Sequence, residues 1–177
     1  MRKIENVKRI YLTDHQRGIF KREGAVSFLA RTGLSRGGAG AVICGDEYLV
    51  AESYEELRMD ADGEYGESHK GWKDRSKVEA GHLRLRCRVV SCRVVELDAE
   101  RVPVMSREEW SACGVEWVGS YVVDKDGEER WDEDCSGRVY CRRYAKSVLR
   151  DDRRKGELDK DLVLIKIMRV GNGEDRE

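Results

Sequence analysis

The sequence predicts an α+β domain built of about six to seven short strands with about three helices between them. Three observations carry this. Short apolar runs alternate with polar residues at both ends of the chain. Two helical segments carry their own capping residues. The longest alternating run, HLRLRCRVVSCRVVEL (residues 82–97), reverses its apolar phase midway. A phase reversal inside one strand predicts a bulge or sharp bend, and small mixed barrels use such bends to close.

The elements follow in order. Residues 7–12 read as a first strand. Thr13-Asp14 supplies a helix N-cap, because Asp oxygens accept the free N–H groups of a first turn. HQRGIFKRE is then a short helix ended by Gly24. AVSFLAR is a second strand, followed by the glycine-rich loop TGLSRGGAG, which lacks the Lys-Ser/Thr ending of a nucleotide P-loop. Gly45-Asp46 turns the chain into a third strand, EYLVAESY. Residues 55–81 form a long polar excursion.

In the run that follows, Leu83, Leu85, Cys87 and Val89 share one face, with His82, Arg84, Arg86 and Arg88 on the other. Beyond Val89-Val90 the apolar set becomes Val90, Cys92 and Val94. Ser106 and Glu109 form a capping box opening a short helix that closes at Gly114. WVGSYVV and EERW read as a hairpin turning at Asp126-Gly127. Residues 139–154 are the longest helix, with Cys141, Tyr144, Ala145, Val148 and Leu149 on one face. DLVLIKIMRV is a final strand. The 177 residues make one domain, with a core over about 7–170, a hairpin insertion at 115–135 and a disordered tail at 171–177.

Composition narrows the function classes. No apolar run reaches the length of a membrane-spanning helix, and the basic N-terminus is not followed by the apolar stretch of a secretory signal. A cytoplasmic location and reduced cysteines follow as expectations. Cys87 and Cys92 are too widely spaced for a zinc knuckle, and five positions apart in a regular strand they face opposite sides; no metal and no cofactor is expected. Net charge is −1, yet it is segregated: residues 45–67 hold nine acids and one base, residues 138–155 eight bases and two acids. Arginine outnumbers lysine 23 to 11. Segregation permits a basic face on a balanced protein. His15 is expected to be exposed, and Trp110, Trp117 and Trp131 to anchor a small core.

The order of these pieces resembles the ASCH domain, a member of the PUA-like β-barrel group, and looks closest to ASCH-like proteins of bacteriophages and prophages. GDEYLVAESY resembles that family's strand motif. Trp72 with Lys73 and Ser76, ahead of the arginine-rich run, resembles its tryptophan loop, and MSREEWSACGVEW its short helix ending in Gly-Val. The family's N-terminal pattern is Gly-x-Lys-x-x-Glu/Thr-x-Arg. Anchored on Gly24, this chain keeps Gly24 and Arg31, with Val26 in place of the lysine and Leu29 in place of the Glu or Thr.

The resemblance implies RNA or nucleotide binding beside a barrel. The row His82, Arg84, Arg86 and Arg88 offers planar guanidinium forks for phosphates and bases. Lys21, Arg22, Arg31 and Arg36 would join that row if the barrel closes as in the family, with Tyr54 or Trp72 as a stacking surface. Taken singly, each arginine reads first as part of a solvated strand face paired with the acids of 52–67; it is the cluster that points to binding. A second implication is amide hydrolysis on a modified nucleoside, for which Lys21 and Glu52 are the candidate catalytic pair; the missing family lysine weighs against it. A third is a phage accessory factor that binds a host protein through the acidic segments 52–67 and 124–134.

Overall fold

The computed structural model describes residues 9–31, 44–53, 56–57, 75, 78, 80–118, 121–131, 137–148 and 162–171. They form an α+β fold of three helices and eight strands in two sheets.

Strand β1 (Arg9–Ile10) leads into helix α1 (Asp14–Glu23). Thr13 alone caps the helix: the Gln16 N–H donates to its Oγ1 at 3.1 Å, while the Thr13 N–H donates to Gln16 Oε1 at 3.3 Å. Gly24 ends the helix at φ 73°, a conformation that glycine adopts without a Cβ clash. The chain then enters β2 (Ala25–Arg31) directly. Strand β3 (Glu47–Val50) is shorter than its apolar run suggested. Gly45, at φ 92°, donates its N–H to Val89 O at 2.8 Å, so Gly45-Asp46 is the turn into β3.

Strands β4 (Arg86–Val95) and β8 (Leu162–Arg169) complete a five-stranded sheet of order β1-β3-β4-β8-β2. Only β1 and β3 run parallel. Among the described residues no pairing joins β1 to β2, and the sheet is open.

Helix α2 (Arg107–Ala112) starts at the Ser106–Glu109 capping box. A three-stranded meander follows: β5 (Glu116–Val118), β6 (Tyr121–Val123) and β7 (Glu129–Trp131). The run WVGSYVV thus divides into two paired strands, Val118 opposite Tyr121, and the expected hairpin is a meander. Helix α3 spans Gly137–Val148.

Each face of the large sheet supports its own core. On one face α1 packs Ile19 and Phe20 against Val26, Val50, Cys87, Val89, Ile165 and Ile167. On the other, Leu29, Val95, Leu162 and Leu164 meet Trp110 of α2, Val122 of β6, and Cys141 and Tyr144 of α3. Burying each large apolar side chain contributes roughly 1.5–3 kcal/mol as an upper bound.

The expected irregularity in β4 is present. Val89 lies opposite Ile167 and Ser91 opposite Lys166, which leaves Val90 as an extra residue. Val90, Cys92 and Val94 are exposed rather than forming a second buried set. The bulge also returns Cys92, opposite Ile165, to the face of Cys87, which a regular strand would not do.

The N-terminal turn of α1 locks onto the second layer. Thr13 Oγ1 donates to Lys125 O at 2.5 Å and Gln16 Nε2 to Cys113 O at 3.1 Å. His15 is half-buried, not exposed. Its ring lies against two glycines at positive φ, Gly114 and Gly127, and a Cβ on either would come within 2.9 Å of it. Trp110 and Trp117 pack edge to face at 6.4 Å in the second core, as expected. Trp131 does not: it is 64% exposed and stacks on Tyr121 at 4.5 Å.

Candidate functional site

The alternation of β4 and its approach places Leu83, Leu85, Cys87 and Val89 inside and Arg84, Arg86 and Arg88 outside. His82, in a 3-10 turn (Ala80–His82) just before, is half-buried. Arg86 and Arg88 lie on the sheet face away from α1, where Leu49, opposite Arg86, is itself buried with Leu57, Val78 and Leu83. Arg88 Nη2 pairs with Glu47 Oε1 of β3 at 2.7 Å. Arg86, opposite Leu49, makes no ion pair among the described residues.

Two basic residues that sequence reasoning did not assign to the site share this face. The bulge sets Arg93 on the same side as Arg88, where its Nη2 pairs with Glu109 Oε1 at 2.5 Å. Lys166 of β8, opposite Ser91, is exposed and makes no ion pair among the described residues. The signal for Lys166 was its position as the polar break in DLVLIKIMRV. Met168, exposed opposite Arg88, adds an apolar spot to the surface.

Two of the remaining candidates lie elsewhere. Lys21 and Arg22 ride on α1, which covers the opposite face of the sheet. Arg31 ends β2, in register with Leu162. Arg36, Tyr54 and Trp72 lie outside the described residues.

Under α1 a second constellation forms. Glu52 follows β3 and is 1% exposed. Its Oε1 lies 3.3 Å from Lys21 Nζ. Neither carboxylate oxygen accepts a hydrogen bond among the described residues. Four positions before Lys21 on the same helix face sits Arg17, 3% exposed. Its Nη1 donates to Leu12 O at 3.1 Å and its Nη2 to Asp14 Oδ1 at 2.7 Å, and Glu56 closes a further ion pair. Glu56 is itself fixed by Ser53, whose N–H donates to Glu56 Oε2 at 2.7 Å. Arg75 reaches Leu12 O at 2.5 Å and Asp14 at 3.3 Å.

Burial pulls the Arg17 guanidinium below its ordinary value, against the opposing hydrogen bond from Asp14. That same bond holds the Asp14 carboxyl below the usual carboxylate range. A buried carboxylate with no donor on its oxygens is costly, and a half-exposed ammonium beside it is the raw material of nucleophile–base chemistry.

Among the described residues no group of three or more His, Cys, Asp or Glu side chains is placed to hold a metal ion. No described helix is long and apolar enough to cross a membrane. No family model matches the chain, and no curated protein or solved structure matches it.

Proposed function

We propose that this chain is an RNA-binding module of the ASCH, PUA-like type, acting in the cytoplasm, with the arginine-bearing face of the large sheet as its contact surface. The observation that carries the reading is the exposed row Arg84, Arg86 and Arg88, prolonged across the sheet by Lys166 and Arg93. Guanidinium forks on a flat sheet suit phosphates and unstacked bases, and Met168 offers apolar contact to a base. Among the described residues Glu47 and Glu109 each occupy one arginine of this face, and Arg86 and Lys166 make no ion pair. The PUA-like barrel belongs to the same reading. Its support is the bulge in β4.

Retention of single-stranded RNA over a salt series tests this. Replacing Arg84, Arg86 and Arg88 with alanine is expected to weaken binding and reduce the salt slope by about 2, at roughly 0.7 per phosphate contact. Wild-type protein with no salt-dependent retention would end the proposal.

The contact between Lys21 and Glu52 favours a second reading, hydrolysis of a small amide on a modified nucleoside. Glu52 would accept the proton that activates the Lys21 amine or a water. Turnover of N-acetylated nucleosides, lost in Lys21→Ala and in Glu52→Gln, is its expected signature. Full activity in either variant removes it.

A further inference from the structure

A cavity of about 440 Å³ opens into the second core, away from both the basic sheet face and the Lys21–Glu52 pair. Its size falls within the range of small-molecule sites. The buried side chains of Val102, Pro103, Trp110 and Cys141 form its floor. Trp117 and Met105, both half-buried, make the walls. The two indoles touch edge to face, at 71° and with centroids 6.4 Å apart, so both belong to one aromatic surface. An apolar lining rich in indole takes a flat aromatic body, and a thioether adapts to its outline.

Two guanidinium groups, Arg107 and Arg138, stand at the mouth. They differ in commitment. Arg138 Nη2 is held by Asp98 at 2.7 Å and by Glu100 at 3.3 Å, so its charge is answered within the fold. Arg107 is exposed and makes no hydrogen bond or ion pair among the described residues. A pocket with an apolar, aromatic interior and one uncommitted guanidinium at its edge selects against cations and favours a compact anion.

We infer that this cavity binds a small planar aromatic carboxylate, its ring lodged against Trp110, Trp117 and Met105 and its carboxylate paired with Arg107. Nothing in this inference depends on the sheet face or on Lys21, so it stands or falls apart from the proposed function.

The test is a titration of the full chain with 1-naphthoate and, separately, with the neutral 1-naphthylmethanol, followed by the indole N–H signals in two-dimensional NMR. Naphthoate is expected to move the Trp110 and Trp117 signals saturably, with Trp131 on the exposed meander unmoved. Arg107→Ala should weaken naphthoate about tenfold, the scale of one hydrogen bond to a charged group, and leave the alcohol's affinity unchanged. Arg107→Lys should recover part of the loss. Arg107 is on the surface, so neither variant threatens the fold. Absence of a saturable shift at the two indoles to several times 1 mM overturns the inference, 1 mM corresponding to about −4 kcal/mol. So does a naphthoate affinity that ignores the loss of Arg107.

Discussion

The two faces of the large sheet treat charge in opposite ways. Under α1 the guanidinium of Arg17 is buried and held by Leu12 O, the exposed Asp14 and Glu56, with the Arg75 guanidinium sharing Leu12 O and Asp14. On the open face Arg86 and Lys166 lie in solvent, and Arg88 and Arg93 each hold one acid across a half-exposed gap. The first arrangement invests charge in the fold. The second leaves it for something outside the molecule. Glu52 fits neither: it is as buried as Arg17, yet its oxygens accept no hydrogen bond among the described residues.

Four experiments break or sharpen this contrast. The largest effect is expected at Arg17. Arg17→Ala removes a buried guanidinium with its hydrogen bonds to Leu12 O and to the exposed Asp14, a loss of about 1.5–3 kcal/mol on the scale of hydrogen bonds to a charged group. Urea denaturation of Arg17→Ala should show such a loss; a change under about 1 kcal/mol would mean that water reaches the network.

Glu52→Gln should differ from this sharply. Losing a charge that has one ammonium neighbour and no hydrogen bond also relieves its desolvation, so stability should shift by no more than about 1 kcal/mol. A loss as large as that at Arg17 would make Glu52 a structural residue and weaken the second functional reading.

Acid offers a third contrast. The Asp14 carboxyl is held below its ordinary value in the fold by Arg17. A carboxyl with a depressed folded pKa contributes stability above its unfolded pKa, and that stability disappears as pH falls through the folded value. Stability followed downward from pH 5 should therefore fall more steeply below about pH 4 in wild type than in Asp14→Asn. Parallel curves would show that Asp14 takes no part in the network's energetics.

The smallest effect is expected on the open face. An exposed pair such as Arg88–Glu47 contributes roughly 0.2–1 kcal/mol, so Arg88→Ala should leave the denaturation midpoint nearly in place. Its effect should appear instead in RNA retention.

Local signals in the chain were readable where one residue's chemistry settles the matter. Gly24 closes α1 and Ser106 with Glu109 opens α2, because caps are decided within four residues. Strand β2 emerged with the bounds of its apolar run, and the phase reversal in β4 marked its bulge. Other features depend on pairings between distant segments. The open face owes Lys166 to β8, which carries it in from the far end of the chain. The short β3 follows from β1 being only two residues long, a limit that EYLVAESY does not express. The contact of Lys21 with Glu52 was a candidate from sequence, but the neighbouring Arg17 was not singled out: a charged residue on an amphipathic helix reads as solvated until the partner segment is in place. The aromatic cavity draws on three separate segments, and no spacing rule joins them.

The extra residue at Val90 has a consequence for insertions and deletions. Val89 belongs to the first core and Val95 to the second, yet six positions apart in a regular strand they would face the same way. The added residue is what lets β4 turn Val89 to the first core and Val95 to the second. Loss of the one codon for Val90 would therefore be felt far from where it occurs. Either Val95 leaves the Trp110 core or Val89 leaves the Phe20 core, and Arg93 and Cys92 exchange sides. A frame-preserving deletion at this codon should be as damaging as a large cavity in either core, whereas many in-frame changes in surface loops pass unnoticed.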